Sequence, residues 1–110
     1  STSQQVWEEN GITVTNDKAG SSSNVADYAG PARFYKGSSL TIECEENITK
    51  IVINATGGEK YYLSASTVIE GATVTYEGGV CTIVLDTPAT SFTIAALGNQ
   101  IRVSSIEVYN

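Results

Sequence analysis

Hydrophobic residues recur at every second position along most of the chain. In the segment 11–15, Ile12 and Val14 share one side while threonines occupy the other. The same period of two recurs at residues 40–44, 72–76, 81–85 and 92–96. This alternation is typical of half-buried β-strands. No window of a dozen residues shows the i, i+3, i+4, i+7 spacing of an amphipathic helix, so the pattern predicts an all-β protein.

Turn-forming residues separate these segments at intervals of about ten residues. Examples are Asn10-Gly11, Gly57-Gly58 and Gly78-Gly79, which we interpret as hairpin turns or loops. Residues 76–80 and 96–101 have the form of tight hairpins. The spacing predicts about eight to ten short strands in an antiparallel, jelly-roll-like β-sandwich that occupies residues 1–110 as one domain.

Two irregularities add detail to this prediction. The core-facing positions are odd at Ile101 and Val103 but even at Ile106 and Val108, so a β-bulge is expected at Ser104-Ser105. Residues 18–30 are polar and show no periodicity, which predicts the longest loop of the domain. Long loops on rigid sandwiches often carry binding residues, so this loop is a candidate part of a site.

The alternation also predicts which side chains form the core. Tyr76 shares the inward parity of its strand and is interpreted as a core residue. The expected core consists of Ile12, Val14, Phe34, Leu40, Ile42, Ile51, Ile53, Val74, Ile83, Leu85, Phe92, Ile94, Val103 and Val108.

Composition narrows the range of functions. The 110 residues include 12 acidic and 6 basic side chains and no His, for a formal charge of -6. Without imidazole, a Ser-His-Asp or Cys-His site is excluded. The excess of negative charge makes nucleic acid a poor partner. No apolar run is long enough for a membrane span, and we expect a secreted or cell-surface module of a larger protein.

The two cysteines, Cys44 and Cys81, leave two interpretations open. Both lie on core-facing positions of their strands, where they could form a disulfide typical of extracellular domains. They could equally be buried free thiols that pack as small hydrophobic groups. Sequence spacing does not decide between the two, because a disulfide depends on the distance between the strands.

Aromatic and basic residues form the candidate binding set. An exposed aromatic ring offers an apolar face to a sugar ring, and nearby guanidinium or ammonium groups donate hydrogen bonds to hydroxyls and carboxylates. The alternative is that the tyrosines are ordinary strand residues and that the tryptophan fills the sandwich edge. The candidate ligand-binding residues are Trp7, Tyr28, Arg33, Tyr35, Lys60 and Tyr62, with Tyr62 expected to point outward and Tyr61 inward.

The carboxylates do not form a recognisable catalytic pair, so we expect no enzymatic activity and no cofactor. A structural Ca²⁺ site is an alternative use, since hard cations prefer oxygen ligands. Its candidate ligands are backbone carbonyls together with Glu8, Glu9, Asp27 or Glu107. No calcium-binding loop motif of the DxDxDG type accompanies these residues.

Four segments, 11–15, 33–42, 48–53 and 100–108, resemble β-sandwich carbohydrate-binding modules of secreted multidomain proteins from gut and rumen bacteria. The resemblance implies a non-catalytic module that binds a plant cell-wall type of polysaccharide and targets an attached enzyme. Such modules often use surface Trp or Tyr, with Lys or Arg for acidic glycans. A single Trp speaks against a flat multi-tryptophan platform and favours a soluble glycan chain. The alternative is a structural or adhesive extracellular module, such as a spacer, cell-surface or phage decoration domain.

Overall fold

A computed structural model describes residues 3–26 and 28–110 and confirms the all-β, antiparallel class. Every strand pairing in the described part of the chain is antiparallel. A short 3₁₀ helix at Glu59–Tyr61 interrupts the succession of strands. The strands are β1 Gln4–Glu9, β2 Ile12–Asp17, β3 Ala32–Phe34, β4 Ser39–Ala55, β5 Ala72–Glu77, β6 Val80–Ile94 and β7 Ile101–Tyr109.

Two long strands, β4 and β6, each belong to two halves of the sheet. Residues 39–44 of β4 pair with β2, while residues 50–55 pair with β7. We call β1, β2, the start of β4 and the end of β6 the first half. The second half contains β3, β7, the end of β4, the start of β6, and β5.

The bends in these strands explain why seven strands form where eight to ten were expected. Residues 45–47 and 86–88 have turn-forming sequences, Glu-Glu-Asn and Asp-Thr-Pro, but both segments lie within continuous strands. The register of β4 against β6 shifts between Glu43 and Lys50. A bulge of this kind bends a strand without ending its pairing, so one strand takes the place of two predicted ones.

The two halves pack against each other over one hydrophobic core. Trp7 on β1 and Phe34 on β3 belong to different halves, yet their ring centroids are 5.8 Å apart. Buried residues from both halves, such as Ile42 and Ile53, are in the same cluster. This arrangement is consistent with the predicted sandwich, because side chains from two sheet surfaces meet in one interior.

All fourteen predicted core residues lie within this cluster or pack against it. The prediction for Tyr76 is wrong, because its side chain is 40% exposed. Tyr76 lies near the end of β5, the edge strand of the described sheet, close to the turn that leads into β6. The core-facing parity expected for Ile101 is confirmed, since its side chain is fully buried. The core also contains two buried residues that the alternation did not identify, Ile48 and Leu97.

The predicted bulge in β7 is confirmed. Asn54 lies opposite Ser105 and the next residue of β4, Ala55, lies opposite Val103, so Ser104 is the extra residue. The Ser104 hydroxyl donates a hydrogen bond of 3.0 Å to the Asn54 carbonyl oxygen. Because of this extra residue, side chains on both sides of the bulge face the core, at odd positions before it and at even positions after it, as the sequence predicted.

The turns differ from the predictions in two places. Gly78-Gly79 forms the expected two-residue hairpin between β5 and β6, with φ of 55° and 88°. The hairpin predicted at residues 96–101 is wrong, because β7 pairs with β3 and β4 and not with β6. Gly57-Gly58 is likewise not a hairpin turn, since it leads from β4 into the 3₁₀ helix.

Candidate functional site

Two arginines lie side by side on the outer surface of the second half. Arg33 on β3 is the direct cross-strand partner of Arg102 on β7. Their neighbours Phe34, Ile101 and Val103 are buried, so the two arginines occupy the opposite, outward side of these strands. Both arginine side chains are partly exposed. The pairing therefore places two positive charges next to each other on an accessible surface.

A tyrosine ring lies against each guanidinium group. The Arg33 Cζ atom is 4.0 Å from the ring centroid of Tyr28, and the Arg102 Cζ atom is 3.8 Å from that of Tyr61. The Lys60 ammonium also lies over the Tyr61 ring, at 5.1 Å. We call Tyr28, Arg33, Arg102, Tyr61 and Lys60 the tyrosine–cation row. It contains three of the six basic residues of the chain.

Hydrogen bonds from buried or neighbouring amides position the Tyr28 end of the row. The buried Asn16 donates from Nδ2 to the Arg33 carbonyl oxygen at 2.9 Å. Gln5 on β1 donates from Nε2 to the Tyr28 carbonyl oxygen at 3.3 Å. These bonds connect the loop and the short strand β3 to the first half of the sheet.

Asn99 positions the end of the tyrosine–cation row that contains Lys60 and Tyr61. Its Nδ2 group donates to the carbonyl oxygens of Lys60 at 3.3 Å, Tyr62 at 3.0 Å and Gln100 at 3.0 Å. Its Oδ1 atom accepts a hydrogen bond of 3.0 Å from the Ser66 hydroxyl. One side chain therefore connects the 3₁₀ helix, which carries Lys60 and Tyr61, to the segment that precedes β7.

The charges of the row are not neutralised by neighbouring carboxylates. In the part of the chain that the structure describes, Arg33, Arg102 and Lys60 form no ion pair. The Nε atom of Arg33 is buried and has no hydrogen-bond partner. Like charges directly opposite each other destabilise a sheet. Contact with a tyrosine ring offsets this by only about 0.5–1 kcal/mol per exposed pair.

The predicted candidates divide between this row and other places. Tyr28, Arg33 and Lys60 belong to the row, whereas Tyr35 follows the end of β3 and is half-buried. Tyr62 packs against the β5–β6 turn, where a Cβ atom on Gly79 would lie 2.9 Å from Tyr62 Cζ. Strand parity does not apply to Tyr61 and Tyr62, because the segment forms a 3₁₀ helix and its exit.

Sequence reasoning missed two members of the row, Tyr61 and Arg102. Arg102 alternates with the inward Ile101 and Val103, so its outward position was available from parity alone. Its proximity to Arg33 was not, because β3 and β7 are far apart in sequence. Tyr61 could not be found by parity, which assumes a strand.

Trp7 lies away from the row, on the inner side of β1. The sequence left this part of the chain without a clear strand, but Gln4–Glu9 forms β1. Trp7 contacts Phe34 and lines an open cleft of about 470 Å³ together with Ile12, Val14 and Val103. It therefore packs against the core and is also part of a concave surface.

The carboxylates named as possible Ca²⁺ ligands do not assemble into a site in the described part of the chain. No group of three or more His, Cys, Asp or Glu residues there is arranged to hold a metal ion, and Asp27 lies outside the described residues. Glu107 accepts hydrogen bonds from Asn54 and from the Tyr109 hydroxyl, and these lower its pKa. Glu8 and Glu9 line a second cleft with Glu43 and Glu45, which adjoins the Trp7 cleft and shares Glu9 with it.

Both cysteines are free thiols in the structure, and no disulfide joins Cys44 to Cys81. Cys44 lies opposite Ile12 of β2, and Cys81 lies opposite Ile53, nine residues further along β4. Burial raises the pKa of Cys81 to about 11 and also raises that of Cys44. Thiols with raised pKa values are poor nucleophiles at neutral pH.

Within residues 3–26 and 28–110, no helix has the length and apolar character needed to cross a membrane. Comparison of the chain with protein-family models, with curated proteins and with solved structures finds no match in any of the three.

Proposed function

We propose that this protein is a non-catalytic carbohydrate-binding module and that a polysaccharide chain binds along the tyrosine–cation row. The observation that carries the proposal is the alignment of Tyr28, Arg33, Arg102, Tyr61 and Lys60 on one surface. The exposed part of each tyrosine ring, away from the cation that lies over it, provides apolar area for the C–H face of a sugar. Arginine and lysine provide hydrogen-bond donors for its hydroxyls and ring substituents.

The shape of the surface supports a long, open ligand. Tyr28 is 43% exposed and Lys60 is exposed, while Arg33, Arg102 and Tyr61 are partly exposed. The row extends from the loop before β3 across β3 and β7 to the 3₁₀ helix, and none of its residues lines either of the two clefts described above. A polymer that extends along such a surface makes several weak contacts, whereas a small molecule would bury little of its area. The five side chains include no pair of carboxylates for glycoside hydrolysis.

The distribution of tyrosines favours binding over a purely structural role. A spacer or adhesive module would be expected to carry surface tyrosines singly. Tyr76 and Tyr109 are exposed at separate places, but Tyr28 and Tyr61 lie on either side of the paired arginines. We propose that the module belongs to a larger secreted protein, where it would hold an attached enzyme close to a polysaccharide.

The test is affinity electrophoresis and isothermal titration of the protein against soluble plant polysaccharides, both neutral and acidic. We expect Tyr28→Ala and Tyr61→Ala each to weaken binding severalfold, because each removes one ring of the row. Tyr109→Ala is the matched control. Its ring also lies beside a cation, with Lys50 Nζ at 4.2 Å, but it is outside the row. The proposal fails if no polysaccharide binds, or if the control variant loses as much affinity as the row variants.

A further inference from the structure

The paired arginines identify a chemical class of ligand within the proposed function. We propose that the tyrosine–cation row selects polysaccharides that carry carboxylate groups, meaning chains with uronic acid residues, and that Arg33 and Arg102 bind those carboxylates. This inference rests on the proposal that the row binds polysaccharide. It specifies the class of polysaccharide that binds and the two residues that recognise it.

The pairing of two arginines is energetically unfavourable in the free protein. Arg33 and Arg102 are direct cross-strand partners, a position where like charges repel. The chain has 12 acidic residues and 6 basic ones, yet no carboxylate of the described residues forms an ion pair with either arginine. A bound anion would relieve this repulsion, whereas a neutral sugar would leave it in place.

The geometry of the guanidinium groups suits a carboxylate. Each lies against a tyrosine ring, at 4.0 Å for Arg33 and 3.8 Å for Arg102, which restricts its orientation before any ligand arrives. Arg102 uses Nε to bind Gln100 Oε1 at 3.1 Å, so its position along β7 is also held. A planar guanidinium whose orientation is restricted matches a planar carboxylate through two parallel hydrogen bonds. Such charge-assisted bonds are roughly twice as strong as those to a neutral hydroxyl.

The overall charge of the protein favours carboxylated glycans over densely charged polyanions. The molecule as a whole carries a formal charge of -6, so a polymer with closely spaced charges is repelled by most of its surface. The row provides three positive charges over a short distance. It therefore fits a ligand that presents a few carboxylates at the spacing of sugar residues.

The experiment compares two ligands with the same sugar backbone, one with charged carboxylates and one in which each carboxylate is neutralised as its methyl ester. A short oligogalacturonate of defined length and its fully methyl-esterified form are titrated into the protein by calorimetry. We expect the acid to bind at least about tenfold more tightly than the ester, which corresponds to about 1.4 kcal/mol. Arg33→Gln and Arg102→Gln should each reduce this preference, because one guanidinium remains, and the double variant should bind the acid and the ester alike. Lys50→Gln, which removes a cation outside the row, should keep the preference.

A measurement of stability keeps the result interpretable. Arg33→Gln should not lower the melting temperature, because it removes both the like-charge pairing and a buried Nε atom without a partner. If the ester binds as tightly as the acid, or neither binds while a neutral polysaccharide does, the carboxylate inference fails and the proposed function stands. If no polysaccharide binds, both fail. Equal affinity for a sulfated oligosaccharide would also overturn the inference, since it would indicate general anion binding.

Discussion

Asn99 offers a direct test of how the tyrosine–cation row is supported. Its Nδ2 group donates to the carbonyl oxygens of Lys60, Tyr62 and Gln100, and its Oδ1 atom accepts from Ser66. Replacing Asn99 with Ala leaves three carbonyl oxygens and a hydroxyl without this partner. Asn99→Asp keeps the shape of the side chain but places carboxylate oxygens where the donor had been.

The size of the effect follows from the number of hydrogens involved. The amide has two hydrogens for three carbonyl oxygens, so it donates about two full hydrogen bonds. The bond that Oδ1 accepts from the Ser66 hydroxyl is exposed, so water can replace it and it adds little to the sum. At about 1 kcal/mol net for each bond, Asn99→Ala should lower the free energy of unfolding by about 2 kcal/mol. For a domain of this size, that corresponds to a decrease of roughly 8–16 °C in melting temperature. Asn99→Asp should cost more, because oxygen atoms then face oxygen atoms.

Thermal unfolding followed by circular dichroism measures these changes, and Asn24→Ala is the matched control because its side chain is exposed. Both Asn99 variants should also weaken any polysaccharide binding at temperatures where they remain folded, since Lys60 and Tyr61 lose their attachment. The reasoning is refuted if Asn99→Asp unfolds at the wild-type temperature, since water would then be replacing the amide at no cost.

Three further predictions concern the core, the outer surface and the thiols. Ile53→Ala removes a fully buried side chain and should cost about 2–5 kcal/mol in urea unfolding, whereas Val68→Ala, at a 73% exposed position, should cost far less. Hydrogen bonds lower the pKa of Glu107, so its contribution to stability is present above the ordinary glutamate pKa and is lost as the pH falls through the lowered value. Glu107→Gln should therefore show a weaker loss of melting temperature below roughly pH 4 than the wild type, and identical profiles would contradict this. Cys81 is buried with a raised pKa, so a thiol reagent should not modify it in the native state. In urea without reductant, both Cys44 and Cys81 should react with the reagent. Fewer than two reactive thiols would indicate a disulfide.

The alternation of side chains determined more of this protein than any motif did. It identified the all-β class, placed fourteen side chains in or against the core and located the bulge at Ser104. Successive side chains of a strand point to opposite faces of the sheet. Burial of one face therefore produces an alternation of hydrophobic and polar residues that can be recognised in the sequence. The Gly78-Gly79 hairpin could also be predicted from local sequence, because its turn requires positive φ at two successive residues and glycine adopts this conformation readily.

The candidate site depended on information that the alternation does not contain. Tyr28 and Arg33 were identified as surface candidates, but the pairing of Arg33 with Arg102 exists only because β7 crosses to lie between β3 and β4. The predicted hairpin at residues 96–101 would have placed β7 beside β6 instead. Which strands become neighbours is decided by how the two halves of the sheet close over a common core. Local sequence determined which residues face outward, and the tertiary structure decided that two tyrosines and three cations among them share one surface.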